Sequence, residues 1–158
     1  MAGKTSKMDS KRFEVANRIF FRMYQAQNLV HKTGTRFMIE LGSTTQQWAV
    51  LGALSRPAAK DHGLTVKDLL AFLMVSRQNL TAVLDRLETA GLVERTRIAG
   101  DGRLRYIQLT PLGVTTWRDM QGSIADYYDA ALIGFSAEDA VQLFRLLDRL
   151  KTGLAAIG

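Results

Sequence analysis

Two helix starts of the same design lie close together between residues 64 and 95. Thr65 and Asp68 have the form of a capping box, because the hydroxyl can accept from the third helical N–H while the carboxylate bonds back. Ser76 and Asn79 form a weaker version. The AFLMV segment between them is too short for a long loop, so the two helices must cross sharply. A helix-turn-helix is the economical interpretation.

The second of these helices has one apolar stripe and an opposite polar face. Four apolar residues fall at i, i+3, i+4 and i+7, namely Leu80, Val83, Leu84 and Leu87. At about 100° per residue the opposite face is centred on Gln78, Ala82 and Asp85. Gly91 is predicted to end the helix as a C′ glycine.

A hairpin is predicted next, with strands at residues 92–98 and 104–109 around a Gly-Asp-Gly tip. A further helix of the centre is predicted over 44–55. Three long amphipathic helices flank this centre: one from Ser10 to about His31, one starting at Thr110-Pro111, and a last one capped by Ser136. We therefore expect a mainly α (α+β) fold. It consists of a winged helix-turn-helix core with a two-stranded wing at 44–110, between helices at 10–36 and 111–158 of a single chain.

The composition excludes several classes of function. The 158 residues contain no cysteine and two histidines without metal-ligand spacing, so neither a metal site nor a thiol nucleophile is expected. Motifs of common hydrolases, metalloproteases and nucleotide-binding loops are absent, so we expect no catalytic residues, no enzyme activity and no cofactor. The chain has no apolar run near 18 residues and no leader, which predicts a cytoplasmic protein without membrane contact.

The arrangement of the centre predicts contact with double-stranded DNA. A major groove about 12 Å wide admits one helix, and amide, hydroxyl and guanidinium groups read base edges there. The formal charge of +6 agrees with an anionic partner. Arg103, at the hairpin tip, has the shape to enter a minor groove, with Asp101 orienting an arginine across the turn. The predicted DNA-binding residues are Ser76, Arg77, Gln78, Asn79, Thr81, Ala82, Arg86, Arg97, Asp101, Arg103 and Arg105.

Each of these features also has a simpler interpretation. A helix face rich in Gln, Asn and Thr is usually just solvated, and a charged hairpin tip commonly prevents strands of different molecules from pairing. The order of the elements, rather than any one of them, favours DNA contact.

Residues 44 to 113 resemble the MarR family of bacterial transcription regulators. TTQQWAVLGAL is similar to the second helix of that family, and VSRQNLTAVLDRLETAGLVER to its recognition helix and first strand. DGRLRYIQLT, followed by Pro-Leu-Gly, matches the D-x-R wing signature and the next helix start. Gly102 departs from the family pattern, in which a larger residue is frequent, and this concerns the stiffness of the tip. The resemblance implies a sequence-specific DNA-binding regulator.

The flanking helices carry more apolar surface than the centre can cover. Leaving the row of Leu143, Leu147, Leu150 and Leu154 in water would cost about 1.5 to 3 kcal/mol per side chain. The resemblance implies a two-fold homodimer whose recognition helices reach successive major grooves of a pseudo-palindromic operator. An intramolecular bundle of the three helices is the alternative.

The resemblance also implies a small-molecule effector, bound between the dimer helices and the winged domain. Aromatic and methionine side chains can hold a ring, and cations can hold a carboxylate. The candidate residues are His31, Arg36, Trp48, Met74 and Trp117. His31 and Arg36 are expected to form a basic cluster with Lys32 in the loop after the first helix. We expect a repressor that an aromatic acid, or its CoA thioester, releases from its operator. The alternatives are that both tryptophans belong to the core, and that Lys32 and Arg36 contact DNA phosphates or solvent. A further alternative is that the chain is a DNA- or protein-binding module without an effector.

Overall fold

The computed structural model describes residues 9–97 and 105–157. Its helices are α1 (Ser10–Glu40), α2 (Thr45–Leu54), α3 (Val66–Leu73), α4 (Arg77–Thr89), α5 (Pro111–Ala131) and α6 (Ala137–Ala155), with a 3-10 turn at Pro57–Ala59. Its strands are β1 (Leu64–Thr65), β2 (Val93–Arg97) and β3 (Arg105–Leu109). The chain divides into two compact units, and the boundary falls within α5, after Val114.

The core of the first unit brings together α2, α3, α4 and the sheet. Its largest fully buried side chains are Val50, Leu51, Leu69, Leu80, Leu84, Leu87 and Ile107. All four apolar residues of the predicted α4 stripe are buried, which confirms the period assigned to this helix. Burial of such a stripe fixes the rotation of α4, so the opposite face must point outward.

The predicted short turn between the two helices is present, since α3 ends at Leu73 and α4 begins at Arg77, and the caps of both helices are in place. The Thr65 hydroxyl accepts from the Asp68 N–H, and the Asp68 carboxylate accepts from the Thr65 N–H at 3.0 Å and from its hydroxyl at 2.6 Å. After α3 the chain turns at Met74, which adopts a left-handed conformation with φ of 55°. Ser76 then caps α4 by accepting from the Asn79 N–H at 3.2 Å.

The predicted end of α4 is confirmed as well. Gly91 has φ of +71°, and the Leu92 N–H bonds to the Leu87 carbonyl at 2.9 Å, as in a Schellman motif. The chain therefore leaves the helix directly into β2. β2 pairs with β3 in antiparallel register, with Arg95 opposite Ile107 and Arg97 opposite Arg105.

The sheet contains a third strand that the sequence analysis did not predict. β1 pairs with β3, so the strand order is β1-β3-β2. Gly63 allows the chain in front of β1 to come close to β3. Its φ is +75°, and a Cβ there would collide with the carbonyl oxygen of Ile107. Two residues are too few for an alternating pattern, and this is why β1 gave no signal.

The first helix is longer than predicted, and the placement of the basic cluster after it was wrong. α1 continues to Glu40, so His31, Lys32 and Arg36 lie within the helix and not in a loop. A glycine inside a helix costs only about 1 kcal/mol. Gly34 and Met38 are buried, and packing of this end of α1 against α2 offsets that cost.

The predicted starts of the last two helices are confirmed. Thr110 accepts from the Gly113 N–H at 3.0 Å in front of α5, and Ser136 forms a capping box with Asp139 in front of α6. No residue of α6 is buried. None of the described helices is long and apolar enough to cross a membrane.

The cap of α3 predicts a pH-dependent contribution to stability. Hydrogen bonds from the Thr65 hydroxyl and backbone N–H lower the pKa of Asp68 below its ordinary value of 3.8. The contribution is therefore complete above pH 3.8 and disappears as the pH falls through the lower, folded-state pKa. We expect Asp68→Asn to lower the free energy of unfolding by about 0.5 kcal/mol at pH 6.

The measurement is urea denaturation of both proteins between pH 6 and pH 3, where the difference should shrink toward the acid end. Asp61→Asn, at an exposed acid that caps no helix, is the matched control. A difference that is the same at every pH would contradict the assigned role of the Asp68 carboxylate.

Candidate nucleic-acid interface

The outward face of α4 presents the predicted base-reading groups. All six of the predicted residues within this helix are exposed: Arg77, Gln78, Asn79, Thr81, Ala82 and Arg86. The Ser76 cap occupies the N–H of Asn79, whereas the N–H groups of Arg77 and Gln78 belong to the first turn and have no acceptor within the helix. This end of α4 can therefore bind a phosphate through its backbone while its side chains meet the bases.

Two of these side chains are constrained by their neighbours. The Thr81 hydroxyl donates to the Arg77 carbonyl at 2.9 Å, so only its lone pairs remain for a base or a phosphate. Asn79 also lines a cleft between α2 and α4, together with Gln46 and Val83. Gln78 has no such constraint among the described residues.

The base of the wing carries an unusual pair of like charges. Arg97 and Arg105 lie directly opposite each other on β2 and β3, and both are exposed. Neither forms an ion pair with a carboxylate in residues 9–97 and 105–157. Cross-strand like charges destabilise a hairpin, so this pair is typical of a surface that meets an anion. Arg103, predicted to enter the minor groove, and Asp101, predicted to orient an arginine across the turn, lie outside the described residues.

Arg95 forms an ion cluster between β2 and α4, which the sequence analysis missed. Its Nη2 lies 2.6 Å from Asp85 Oδ1, and its Nε lies 3.3 Å from Glu88 Oε2. Both acids follow the polar face of α4. The sequence contains the three charges, but only the turn at Gly91 brings β2 back along the helix.

The predicted effector-binding residues lie on several elements. His31 and Arg36 are exposed on α1, Met74 is exposed at the turn before α4, and Trp117 is half-buried on α5 in the second unit. Trp48, on α2, is half-buried, and its indole Nε1 is fully buried without a hydrogen-bond partner in the described structure. A buried donor without an acceptor costs about 1 to 3 kcal/mol, so it is a natural point for a ligand oxygen.

Chemistry of other kinds has no comparable site in the described parts of the chain. No group of three or more His, Asp or Glu residues there could hold a metal ion. The two carboxyl groups with a lowered pKa, Asp68 and Asp139, are both held by the hydroxyl and N–H of a helix cap. Their perturbation is structural and marks no catalytic acid.

Comparison with known proteins identifies the family. The model of the MarR family matches residues 41–104. The transcriptional activatory protein BadR of Rhodopseudomonas palustris is 46% identical over 145 residues, which cover 89% of this chain and 82% of BadR. The chain belongs to the MarR family. As a MarR-family protein it is a DNA-binding transcriptional regulator and not an enzyme.

Two further similarities involve named small-molecule chemistry. The homoprotocatechuate degradative operon repressor of Escherichia coli is 33% identical over 105 residues, covering 66% of this MarR-family chain and 68% of the repressor. The solved structure of NadR in complex with 4-hydroxyphenylacetate is 26% identical, with a TM-score of 0.71. The aligned region covers 94% of this chain and 97% of the NadR chain. The winged-helix fold predicted from the sequence is thereby confirmed.

The arginine pair at the wing base predicts opposite effects on stability and on DNA binding. Arg105→Glu replaces a cross-strand repulsion by an attraction, so the free energy of unfolding should rise by about 0.2 to 1 kcal/mol. DNA affinity should fall, and the log-log salt slope should decrease by about 0.9 per lost phosphate contact. Thermal unfolding and DNA titrations at several salt concentrations measure the two effects.

Arg118→Glu, on the exposed surface of α5, makes the same change in net charge and is the control. If both variants lower the salt slope equally, the wing base has no special contact with the phosphates.

Proposed function

We propose that the chain is a homodimeric, sequence-specific repressor that an aromatic acid, or its CoA thioester, releases from a pseudo-palindromic operator. Residues 44–110 form the DNA-binding core in this proposal, and the helices in 10–36 and 111–158 form the dimer. The observation that carries it is the outward face of α4, where Gln78 and Ala82 are exposed on the side opposite the buried stripe.

Base reading is assigned to the first half of α4 and phosphate binding to its cap and to the wing. Gln78 and Asn79 carry amides, which pair with adenine, and Arg77 carries a guanidinium, which pairs with guanine. Ala82 offers a methyl group to thymine. Arg86, Arg97 and Arg105 supply positive charge along the backbone, and Asp101 and Arg103 keep their predicted role at the tip.

The effector is assigned an aromatic ring and a carboxylate or thioester oxygen. Trp48 supports this choice, because its buried indole N–H has no protein acceptor and an oxygen of the ligand would satisfy it. Trp117 and Met74 would contact the ring, and His31 and Arg36 would attract the negative charge. The NadR complex and the homoprotocatechuate repressor are similar proteins whose names include compounds of this class.

The sign of regulation is the part of the proposal on which similar proteins differ. BadR is named an activator and the homoprotocatechuate protein a repressor. Transcription in vitro from a bound fragment, with and without the protein, measures the sign directly.

The effector prediction is tested on a DNA fragment selected by the protein from genomic DNA. Aromatic acids and their CoA thioesters should lower the occupancy of this fragment. Trp48→Phe should weaken the response about five- to tenfold, because it removes one hydrogen bond and keeps an aromatic ring. Operator affinity without effector should stay unchanged.

Benzyl alcohol, which lacks the carboxylate, and acetate, which lacks the ring, are the matched control ligands. If no aromatic acid or thioester changes occupancy, the chain is better described as a DNA-binding module without an effector. A Trp48→Phe protein with an unaltered response would remove Trp48 from the site.

The dimer prediction rests on apolar side chains left exposed on the terminal helices. Helices α1 and α6 both carry exposed apolar side chains. They include Phe13, Phe20 and Val30 on α1 and Leu143, Phe144 and Leu147 on α6. Burial against a second copy would stabilise the assembly by about 1.5 to 3 kcal/mol per side chain. We expect sedimentation equilibrium to show about twice the 17.6 kDa mass of one chain at micromolar concentration.

Leu147→Glu should shift this equilibrium toward the monomer, since a charge would enter the apolar contact. Gln142→Glu, an exposed position on the opposite side of α6, adds the same charge and serves as control. A wild-type protein that sediments only as a 17.6 kDa species would contradict the dimer and favour the intramolecular bundle.

A further inference from the structure

The face of α4 that is assigned to DNA carries two negative charges. Asp85 lies seven residues after Gln78 and three after Ala82, so it shares their side of the helix, and Glu88 follows one turn later. Their side chains are 60% and 43% exposed. Free carboxylates on this face would repel the phosphates of a duplex, so their charge has to be compensated.

Arg95 is placed to compensate both acids at once. Its guanidinium uses two different nitrogens, Nη2 toward Asp85 at 2.6 Å and Nε toward Glu88 at 3.3 Å. The planar fork of arginine suits such a double contact, whereas a lysine would supply a single point charge. The cluster carries one net negative charge with Arg95 and two without it.

The register of the sheet and the position of Arg95 along the wing together explain why Arg95 contacts both acids. Arg95 is opposite Ile107 and two residues from Val93, both buried, so its stem lies on the core side of the sheet, along which α4 packs. Its side chain is 29% exposed. Arg97 and Arg105, further along the wing, are exposed and unpaired within the described structure.

We propose that Arg95 is a positioning residue for DNA binding: it neutralises Asp85 and Glu88 on the face of α4 that is assigned to DNA, without contacting the DNA itself. The inference rests on the proposed function, since it assigns the α4 face to DNA. Three positive residues near the duplex thus have different roles, with Arg97 and Arg105 facing the phosphates and Arg95 facing the protein.

The test is a charge-rescue series measured on the selected DNA fragment at several salt concentrations. Arg95→Met alone should weaken binding roughly five- to tenfold at low salt, with a smaller loss at high salt, because the freed acids are then screened. Asp85→Asn combined with Glu88→Gln should strengthen binding relative to wild type. The triple variant should bind at least as tightly as wild type, with the wild-type salt slope.

Other roles of Arg95 give different results. If Arg95 touches a phosphate, the triple variant stays weak and its slope falls by about 0.9. If Arg95 is merely structural, its replacement weakens binding equally at all salt concentrations and the acid variants do not restore it. If Asp85→Asn with Glu88→Gln weakens binding, the acids themselves read bases. Each of these three results would overturn the inference.

Two controls keep the result interpretable. Thermal unfolding of every variant shows whether the fold survives. The double acid variant retains Arg95, so it measures the effect of the two acids on DNA binding even if Arg95→Met does not fold. Wild-type protein without salt-dependent DNA binding would instead reject the proposed function. The two failures are therefore distinguishable.

Discussion

The burial of one apolar stripe of α4 in the core of the first unit is the constraint on which the interface depends. Leu80, Leu84 and Leu87 are almost completely buried, and so is Ile107 on the central strand. A helix with one buried stripe has no rotational freedom, because turning it by one residue would expose leucine and bury Gln78 or Asp85 at a cost of several kcal/mol. The direction of the α4 face that is assigned to DNA thus follows from hydrophobic burial on the other side.

Electrostatics then divides the surface around this helix into two parts. At the α4–β2 seam the charges are paired within the protein, since Arg95 binds Asp85 and Glu88. At the wing base Arg97 and Arg105 are left facing each other. A folded protein keeps such a repulsive pair at the expense of stability, which is typical of a surface that meets its counter-charge in a partner. The unpaired charges, rather than the number of charges, mark where DNA is expected.

Local signals in the sequence were sufficient to predict most helices and the pairing of the two wing strands. The Thr65, Ser76 and Ser136 caps, the α4 stripe and Gly91 each depend on neighbours within about one or two turns, and all are confirmed. What could not be predicted depends on partners distant in the chain. The continuation of α1 past Gly34 depends on packing against α2, β1 depends on β3, and the Arg95 cluster depends on the path of β2 after the helix.

Control of DNA binding by a small molecule requires more than a pocket. An effector shifts operator occupancy only if it binds the free and DNA-bound forms of the protein with different affinities. Each tenfold ratio of these affinities corresponds to a free-energy difference of about 1.4 kcal/mol. Trp48 lies on α2, three residues before Leu51, whose side chain is in the core, and α2 packs against α4. Such a core is close-packed, so a shift of α2 must be accompanied by a shift of α4. A ligand that bonds to the Trp48 indole and displaces α2 would therefore also displace α4. Packing within the first unit therefore provides a physical route from Trp48, which is assigned to the effector, to the exposed face of α4, which is assigned to DNA.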